Sequence, residues 1–281
     1  MNLSVCIVGN SVSILIHPPR VAPHEKTYCE ILRDRGFTVI HAGKQAVVAA
    51  DLYRYLEDEV VRHFPDHVIL HFGIVECTCR ARPRWLQNFF SLNDWTNSIV
   101  GGALNSERTR FAKIVLRKIY RRLIERPLYA AGVSWRWLSP DDFRRVYLDV
   151  IQRLFRETAV KKIQLVGITP VTDELERRVP GTRASTKMYN AVMVEISRTV
   201  PDVLYVDVDT PEFAPLSMDG IHLTAEGHEL LARRIEANLT GERTAYAAWG
   251  QIKAFPLEDK LRRWAAGRSG RPWFGPGIGQ K

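Results

Sequence analysis

The stretch Leu3-Ser4-Val5-Cys6-Ile7-Val8-Gly9-Asn10-Ser11 joins a short apolar run to a turn, and this combination indicates the class of fold. Branched apolar side chains without polar alternation are typical of a strand that is buried on both faces, as in a parallel sheet. Gly9 then favours a turn directly after the strand. The run is short and carries no basic residues before it, so we interpret it as a first strand and not as a secretory signal.

Similar runs recur along the chain, separated by segments with helical periodicity. We predict four further strands, at Phe37–His41, His67–Phe72, Lys162–Ile168 and Val203–Asp207. Apolar residues spaced three and four apart predict helices over His24–Arg35, Ala49–His63, Asp141–Glu157, Ser185–Thr199 and Thr224–Asn238. This alternation predicts an α/β fold with a five-stranded parallel sheet, in which ligands bind at the carboxyl ends of the strands.

The composition is that of a globular protein with a sizeable core. The 281 residues are 46% hydrophobic and 25% charged, which excludes a disordered or fibrous chain. No apolar run reaches the roughly 18 residues that a membrane-spanning helix needs. The four cysteines lack the spacing of a disulfide framework or a zinc site, since Cys77 and Cys79 are too close for a usual zinc pair. We therefore expect reduced thiols in a cytoplasmic protein, and no metal.

A candidate nucleophile follows the first strand. In Gly9-Asn10-Ser11, the tight turn can expose the Ser11 hydroxyl at the edge of the sheet, near backbone N–H groups that can stabilise an oxyanion. The plainer alternative is that Ser11 only caps the element that follows it.

A candidate base lies in Asp219-Gly220-Ile221-His222, just before the last predicted helix. A serine hydroxyl is a weak nucleophile that needs a base, and the base needs an orienting partner. His222 and Asp219 can supply both from one segment. Alternatively, Asp219 only forms a turn and His222 lies at the surface, and we expect His228 to be structural or exposed.

Two glycines follow the second and third strands and can each present an N–H toward the same crevice. Gly43 follows Phe37–His41, and Gly73 follows His67–Phe72. Each alone is equally compatible with an ordinary turn glycine.

In order and spacing, these segments resemble the SGNH hydrolase family, also called GDSL esterases. Four blocks carry the resemblance, which covers about Leu3–Leu239 without the insertion described below: Gly9-Asn10-Ser11, Gly43 with Ala49-Ala50-Asp51-Leu52, Phe72-Gly73-Ile74-Val75-Glu76, and Asp219-Gly220-Ile221-His222-Leu223 with Ala225-Glu226-Gly227-His228. The Gly-Ile-Val-acid-Cys string ending at Cys77 also resembles a bacterial subgroup that is often linked with surface-glycan pathways.

The resemblance implies a flavodoxin-like three-layer α/β/α domain with serine esterase or acyl-transfer activity. Ser11 would be the nucleophile, His222 the general base and then acid, and Asp219 the orienting carboxylate. The oxyanion hole would use backbone N–H groups of Ser11 and Gly43, with that of Gly73 beside them. The implied substrate is an O-acyl ester, for instance an acetyl ester, of a small molecule or glycan, with no cofactor.

This sequence departs from the family pattern at two positions. Asn10 replaces the usual aspartate, and Val75 stands where the family has an asparagine that donates to the oxyanion. Loss of one such donor typically costs about 3–4 kcal/mol of transition-state stabilisation. Either another group compensates, or the enzyme is slow, or the chain is not a hydrolase. Glu76 and Arg80 are close enough in sequence to line the altered site.

The basic charge is concentrated in two additions to the predicted α/β domain: an insertion at 80–140, which lies within the domain's residues 1–240, and a tail that follows it. The chain carries a net charge of +9, and Arg80–Arg145 alone has fourteen basic and five acidic residues. Within the insertion at 80–140, Phe111, Val115, Ile119 and Leu123 recur at helical spacing. A second addition, the tail at 241–281, is also basic, and we expect it to be partly ordered.

The insertion has three interpretations. It could form a helical cap or lid whose apolar stripe packs on the core, or a surface for an anionic membrane or glycan. Nucleic acid is the least expected partner, because nothing resembles a known nucleic-acid module. The sequence does not indicate an oligomeric state.

Three functions remain open from the sequence. The first is a cytoplasmic serine hydrolase, which could be peripheral to the inner membrane face. The second is an acyltransferase on the same triad, with the insertion excluding water. The third is a non-catalytic module that binds an anionic glycan or a membrane, which Val75 favours.

Overall fold

Five parallel strands form one sheet, as predicted from the sequence. The computed structural model describes residues 3–13, 26–43, 48–81, 121–217 and 220–241. Its strands are β1 (Ser4–Gly9), β2 (Thr38–His41), β3 (His67–His71), β4 (Lys162–Val166) and β5 (Val203–Val206). They are ordered β2-β1-β3-β4-β5 across the sheet, which is the flavodoxin-like doubly wound order.

Helices connect the strands. They are α1 (Tyr28–Asp34), α2 (Leu52–Glu59), α3 (Ile74–Cys77), α4 (Arg126–Ala130), α5 (Pro140–Glu157), α6 (Asp173–Arg178), α7 (Thr182–Thr199) and α8 (Ala225–Thr240). Those predicted over Asp141–Glu157, Ser185–Thr199 and Thr224–Asn238 are confirmed to within three residues at each end, whereas the helix predicted over His24–Arg35 begins only at Tyr28, after the cap residue Thr27. The helix predicted over Ala49–His63 is shorter than expected, because 3₁₀ turns replace both of its ends. The short helices α3, α4 and α6 were not predicted, since none is long enough to show a helical period.

The core lies on both faces of the sheet, which confirms the three-layer architecture. Alternate residues of β1 point to opposite faces, so Val5 and Ile7 pack with α1 and α8, whereas Cys6 and Val8 pack with α2, α5 and α7. All four side chains are fully buried. Strands that are apolar on both faces therefore reflect a sheet that is covered on both sides.

Local side-chain caps fix where the helices begin. At α1, Thr27 and Glu30 form a capping box in which each side chain accepts the backbone N–H of the other. At α5, the Ser139 hydroxyl accepts the Asp142 N–H at 3.1 Å and Pro140 occupies the first turn, as predicted.

The order of the strands creates a crevice between β1 and β3. Chain connections leave the sheet in opposite directions from these two strands, so their carboxyl ends face an open space. Gly9 at the end of β1 pairs with His71 at the end of β3. The segments that follow these two residues, which contain Ser11 and Gly73, therefore start side by side.

Only part of the basic insertion lies within the described residues. Residues 121–140 form a π-helical turn (Arg121–Glu125) and α4, and the Tyr129 hydroxyl donates to the Cys79 carbonyl at 3.1 Å. Leu123 is 68% exposed, so the predicted apolar stripe does not pack on the core at this position. Residues 82–120 and the tail from 242 onward lie outside the described residues. The cap, membrane and glycan interpretations therefore stay predictions.

None of the helices within the described ranges is long and apolar enough to cross a membrane.

Candidate active site

The turn after β1 is held in place by backbone hydrogen bonds. The Asn10 N–H donates to the His71 carbonyl at 3.3 Å, and the Asn10 carbonyl accepts the Ser13 N–H at 3.1 Å and the Ser13 hydroxyl at 2.9 Å. The buried Asn10 side chain accepts the Val12 N–H through Oδ1 at 3.2 Å. The backbone of Ser11 therefore begins a 3₁₀ turn at the carboxyl edge of the sheet, while its side chain lies outside the described part of the structure.

Gly43 lies directly against this turn. A Cβ atom on Gly43 would lie 2.6 Å from Ser13 Oγ and 2.6 Å from His41 Nε2. Gly9 is equally confined, because a Cβ there would lie 2.8 Å from Ser13 Oγ. Two glycines thus allow the segments after β1 and β2 to approach more closely than residues with side chains could. This places the predicted oxyanion donor Gly43 next to the Ser11 turn.

The N–H of Gly73, also predicted as an oxyanion donor, is bonded to a buried carboxylate. It donates to Glu76 Oε2 at 3.0 Å, and Ala49 N–H donates to Glu76 Oε1 at 2.5 Å. Burial raises the pKa of Glu76 to about 7, although both backbone hydrogen bonds act in the opposite direction. An oxyanion role for Gly73 would require this N–H to leave Glu76.

Val75 and Arg80 are two further residues considered for the site. Val75 lies in α3, where it is partly buried and packs against the core, and its side chain offers no hydrogen-bond donor. Arg80 pairs through its backbone with Trp135, and its guanidinium lies 5.6 Å from the ring centroid of Trp137. Arg80 thus contacts the end of the insertion. It is not among the described residues that line the cleft below.

His222 lies in a closed loop between β5 and α8. Ser217 and Leu223 form an antiparallel bridge, and Thr224 N–H donates to the Leu216 carbonyl at 2.8 Å. Gly220 has a positive φ of 81° and packs against α6, where a Cβ would lie 2.6 Å from Thr172 Oγ1. The His222 side chain is partly buried and interacts with another group of the protein. Asp219 lies outside the described residues. The loop is therefore closed at its base, with His222 near its end.

A shallow, partly open cleft lies at the carboxyl ends of the strands. Val12, which follows Ser11 by one residue, lines it, as do Ile221 and Leu223 on either side of His222. The remaining lining residues come from the ends of β3 and β4: His71, Phe72, Ile74, Gly167, Ile168 and Thr169. The cleft thus adjoins the segments that carry Ser11, Gly73 and His222, which lie far apart in the sequence.

Three buried aromatic residues beside the cleft were not predicted as site residues. Nδ1 of His71 lies 3.1 Å from the Tyr28 hydroxyl, and the Tyr28 ring stacks on His228 at 5.9 Å. Burial lowers the pKa of His71 to about 3 and that of His228 to about 4. His71 therefore brings a neutral imidazole to the cleft. A histidine at the end of the apolar run His67–His71 was the only sequence signal for it.

The Ile168 segment of the cleft is fixed by one buried amide on α7. Asn190 accepts the Ile168 N–H through Oδ1 at 2.8 Å and donates to the Ile168 carbonyl through Nδ2 at 2.9 Å. Sequence reasoning did not identify Asn190, since nothing local pairs it with a strand end 22 residues away.

Within the described ranges, no group of three or more His, Cys, Asp or Glu side chains is arranged to hold a metal ion.

Comparison with known proteins finds similarity in structure only. No family model matches the chain. No curated protein matches its sequence either. Among solved structures, a lipase/acylhydrolase from Enterococcus faecalis has a TM-score of 0.54 at 16% identity, with 88% of this chain and 100% of that chain covered.

Two other solved structures are similar to this chain. An α/β hydrolase from the Lake Arreo metagenome has a TM-score of 0.51 at 18% identity, covering 85% of this chain and 95% of its own. An acetylxylan esterase from Geobacillus stearothermophilus has a TM-score of 0.50 at 16% identity, covering 90% and 100%. At these identities the likeness establishes the α/β fold.

Proposed function

We propose that this chain is a serine esterase that hydrolyses an O-acyl ester with Ser11, His222 and Asp219. One observation carries the proposal: a single cleft at the carboxyl edge of the sheet is lined by Val12 next to Ser11 and by the two residues that flank His222. A nucleophile and its base must approach the same substrate atom, so their segments must border one cleft.

The proposed reaction proceeds through an acyl-enzyme. His222 takes the Ser11 hydroxyl proton as Ser11 Oγ attacks the acyl carbon, and Asp219 orients the imidazole and stabilises its charge. Backbone N–H groups of Ser11 and Gly43 stabilise the oxyanion. His222 then gives the proton to the leaving alcohol. A water, deprotonated by His222, attacks the acyl-enzyme, and the acid leaves as the proton returns to Ser11.

The lining of the cleft supports a short acyl group as the part of the substrate that binds there. Phe72, Ile168 and Leu223 give it apolar walls, with His71 and Thr169 as the polar exceptions. Apolar walls favour a hydrocarbon group over a charged one. The structural neighbours include an acetylxylan esterase and a lipase/acylhydrolase, so we propose an acyl ester of a small molecule or glycan as the substrate.

Two observations favour a second candidate, a binding module without turnover. Val75 offers no oxyanion donor, and the Gly73 N–H is bonded to Glu76. A site with Ser11 and Gly43 alone would stabilise the oxyanion less well.

A serine-directed fluorophosphonate and p-nitrophenyl acetate together test the proposal. We expect peptide mapping to place the phosphonate on Ser11. Ser11→Ala and His222→Ala should each lower kcat by about a thousandfold or more. Ser197→Ala on α7 and His63→Ala in an exposed turn are matched controls that should retain activity.

The outcomes separate the candidate functions. Wild-type protein that neither labels at Ser11 nor hydrolyses the ester would exclude the esterase and leave the binding module. Labelling at Ser11 with turnover only when an alcohol acceptor is added would identify an acyltransferase.

We also propose a reducing compartment for this protein. Cys6, Cys29, Cys77 and Cys79 are all free and buried. Four unpaired thiols suit the cytoplasm better than an oxidising environment.

A further inference from the structure

A single buried side chain joins two loops at the carboxyl edge of the sheet. Glu76 in α3 is fully buried, and its two carboxylate oxygens accept N–H groups from different loops: Ala49 after β2 and Gly73 after β3. Ala49 lies 27 residues from Glu76 in sequence and six residues after Gly43. The carboxylate therefore links the turn at Ala49 to the turn at Gly73.

The same residue also contacts the end of the insertion. The Glu76 carbonyl accepts the Trp137 N–H at 3.1 Å, just before α5 begins. Three segments that are separate in sequence thus meet at Glu76, beside the wall of the cleft that Ile74 forms.

An ionised carboxylate buried at this position destabilises the folded state unless its hydrogen bonds are formed. Within the described residues, no cationic side chain forms an ion pair with Glu76, so backbone N–H groups provide its stabilisation. Burial of an ionised carboxylate without partners costs several kcal/mol. The two bonds to Ala49 and Gly73 are therefore strongly favoured, and they hold both loops at a defined separation.

We infer that Glu76 is a positioning residue that holds the Gly73 turn, and with it the cleft wall formed by Ile74, in place against the Ala49 loop. The inference rests on the esterase function proposed above. A displacement of about 1 Å in a group that positions the substrate is enough to slow a reaction about a hundredfold.

Protonation of Glu76 gives this role a pH signature. Burial, with a smaller contribution from charge repulsion by Asp51, raises its pKa to about 7. The neighbouring Cys77 on the same helix and Tyr189 on α7 also have raised pKa values, so both stay neutral in this range. Above about pH 7 the carboxylate accepts both N–H groups, and below it the protonated carboxyl accepts them more weakly.

Glu76→Gln tests the inference, because the amide has the same shape but only one acceptor oxygen. We expect kcat to fall about ten- to a hundredfold at pH 8.5 with KM changed less than about threefold. The difference from wild type should shrink to about threefold at pH 5.5, where wild-type Glu76 is also protonated. Glu57→Gln, the same substitution at an exposed carboxylate of α2 that pairs with Arg153, is the matched control and should change kcat less than threefold.

Three readouts decide the outcome. Wild type that does not label at Ser11 would remove the proposed function itself. If wild type is labelled but Glu76→Gln has the same kcat, or a difference in kcat that does not depend on pH, the positioning role alone would be overturned.

If Glu76→Gln does not fold, amide hydrogen exchange of wild type replaces it. The protection of the Ala49 and Gly73 amides must then fall from pH 8.5 to pH 5.5 after correction for intrinsic exchange. Constant protection would overturn the role.

Discussion

Asn190 satisfies both backbone polar groups of Ile168, accepting its N–H at 2.8 Å and donating to its carbonyl at 2.9 Å. This pair fixes the end of β4 to α7 at the point where Ile168 lines the cleft. A buried side chain of α7 that does not itself line the cleft thus holds one of its lining residues in place.

Asn190→Ala should destabilise the protein by about 2–4 kcal/mol, because it leaves a buried N–H and a buried carbonyl without partners. Urea unfolding measures the change in free energy. Asn238→Ala is the matched control: Asn238 donates one bond to Gln164 at 3.1 Å and should cost about 1 kcal/mol. Equal losses in the two variants would contradict the clamping role of Asn190.

Gly73→Ala should cost more stability than Gly36→Ala, although both glycines have positive φ. Gly73 has φ 123° and a Cβ there would lie 2.7 Å from Ile168 Cδ1, whereas Gly36 has φ 91° and open space around it. Gly36→Ala reports backbone strain alone, about 1–2 kcal/mol. Gly73→Ala adds overpacking of about 1–3 kcal/mol. Thermal or urea unfolding compares them, and similar losses would show that Ile168 moves aside freely.

His228→Phe should flatten the dependence of stability on pH between about 4 and 6.5. Burial lowers the pKa of His228 to about 4, so in this window the unfolded chain binds a proton that the folded chain does not. Wild-type stability is therefore complete above the unfolded pKa and is lost as pH falls toward 4. Phenylalanine keeps the stacking on Tyr28 but does not titrate.

Urea unfolding at several pH values measures this effect as a difference between wild type and variant, which cancels most other titrating groups. The slope of the free energy of unfolding against pH should be smaller in His228→Phe than in wild type, by up to about 1.4 kcal/mol per pH unit. Parallel curves for the two proteins would show that His228 titrates alike in the folded and unfolded states.

Leu123→Ala should change stability by less than about 0.5 kcal/mol, because this side chain is 68% exposed. Leu154→Ala on α5 is the matched comparison, since Leu154 is fully buried and should cost about 2–5 kcal/mol. A loss at Leu123 comparable to that at Leu154 would mean that the stripe of the insertion packs on the core in solution.

The sequence by itself determined the strands, the long helices and the side of the sheet that carries the candidate site. Buried strands such as Ser4–Gly9 and amphipathic helices such as Pro140–Glu157 depend on the spacing of neighbouring residues, which can be read directly. The Ser11 segment follows a predicted strand and the His222 segment precedes a predicted helix. These positions predicted that both segments border the carboxyl edge of a parallel sheet.

Only the tertiary structure decided which side chains meet at that edge. Glu76 bonds to Ala49, His71 to Tyr28 and Asn190 to Ile168, across 27, 43 and 22 residues of sequence. No local period encodes such pairs, because crossovers between strands bring the partners together only when the sheet and both helical layers have packed. The sequence predicted Gly73 as a free donor for the same reason: the acceptor of its N–H, Glu76, is recognisable as buried only within the folded core.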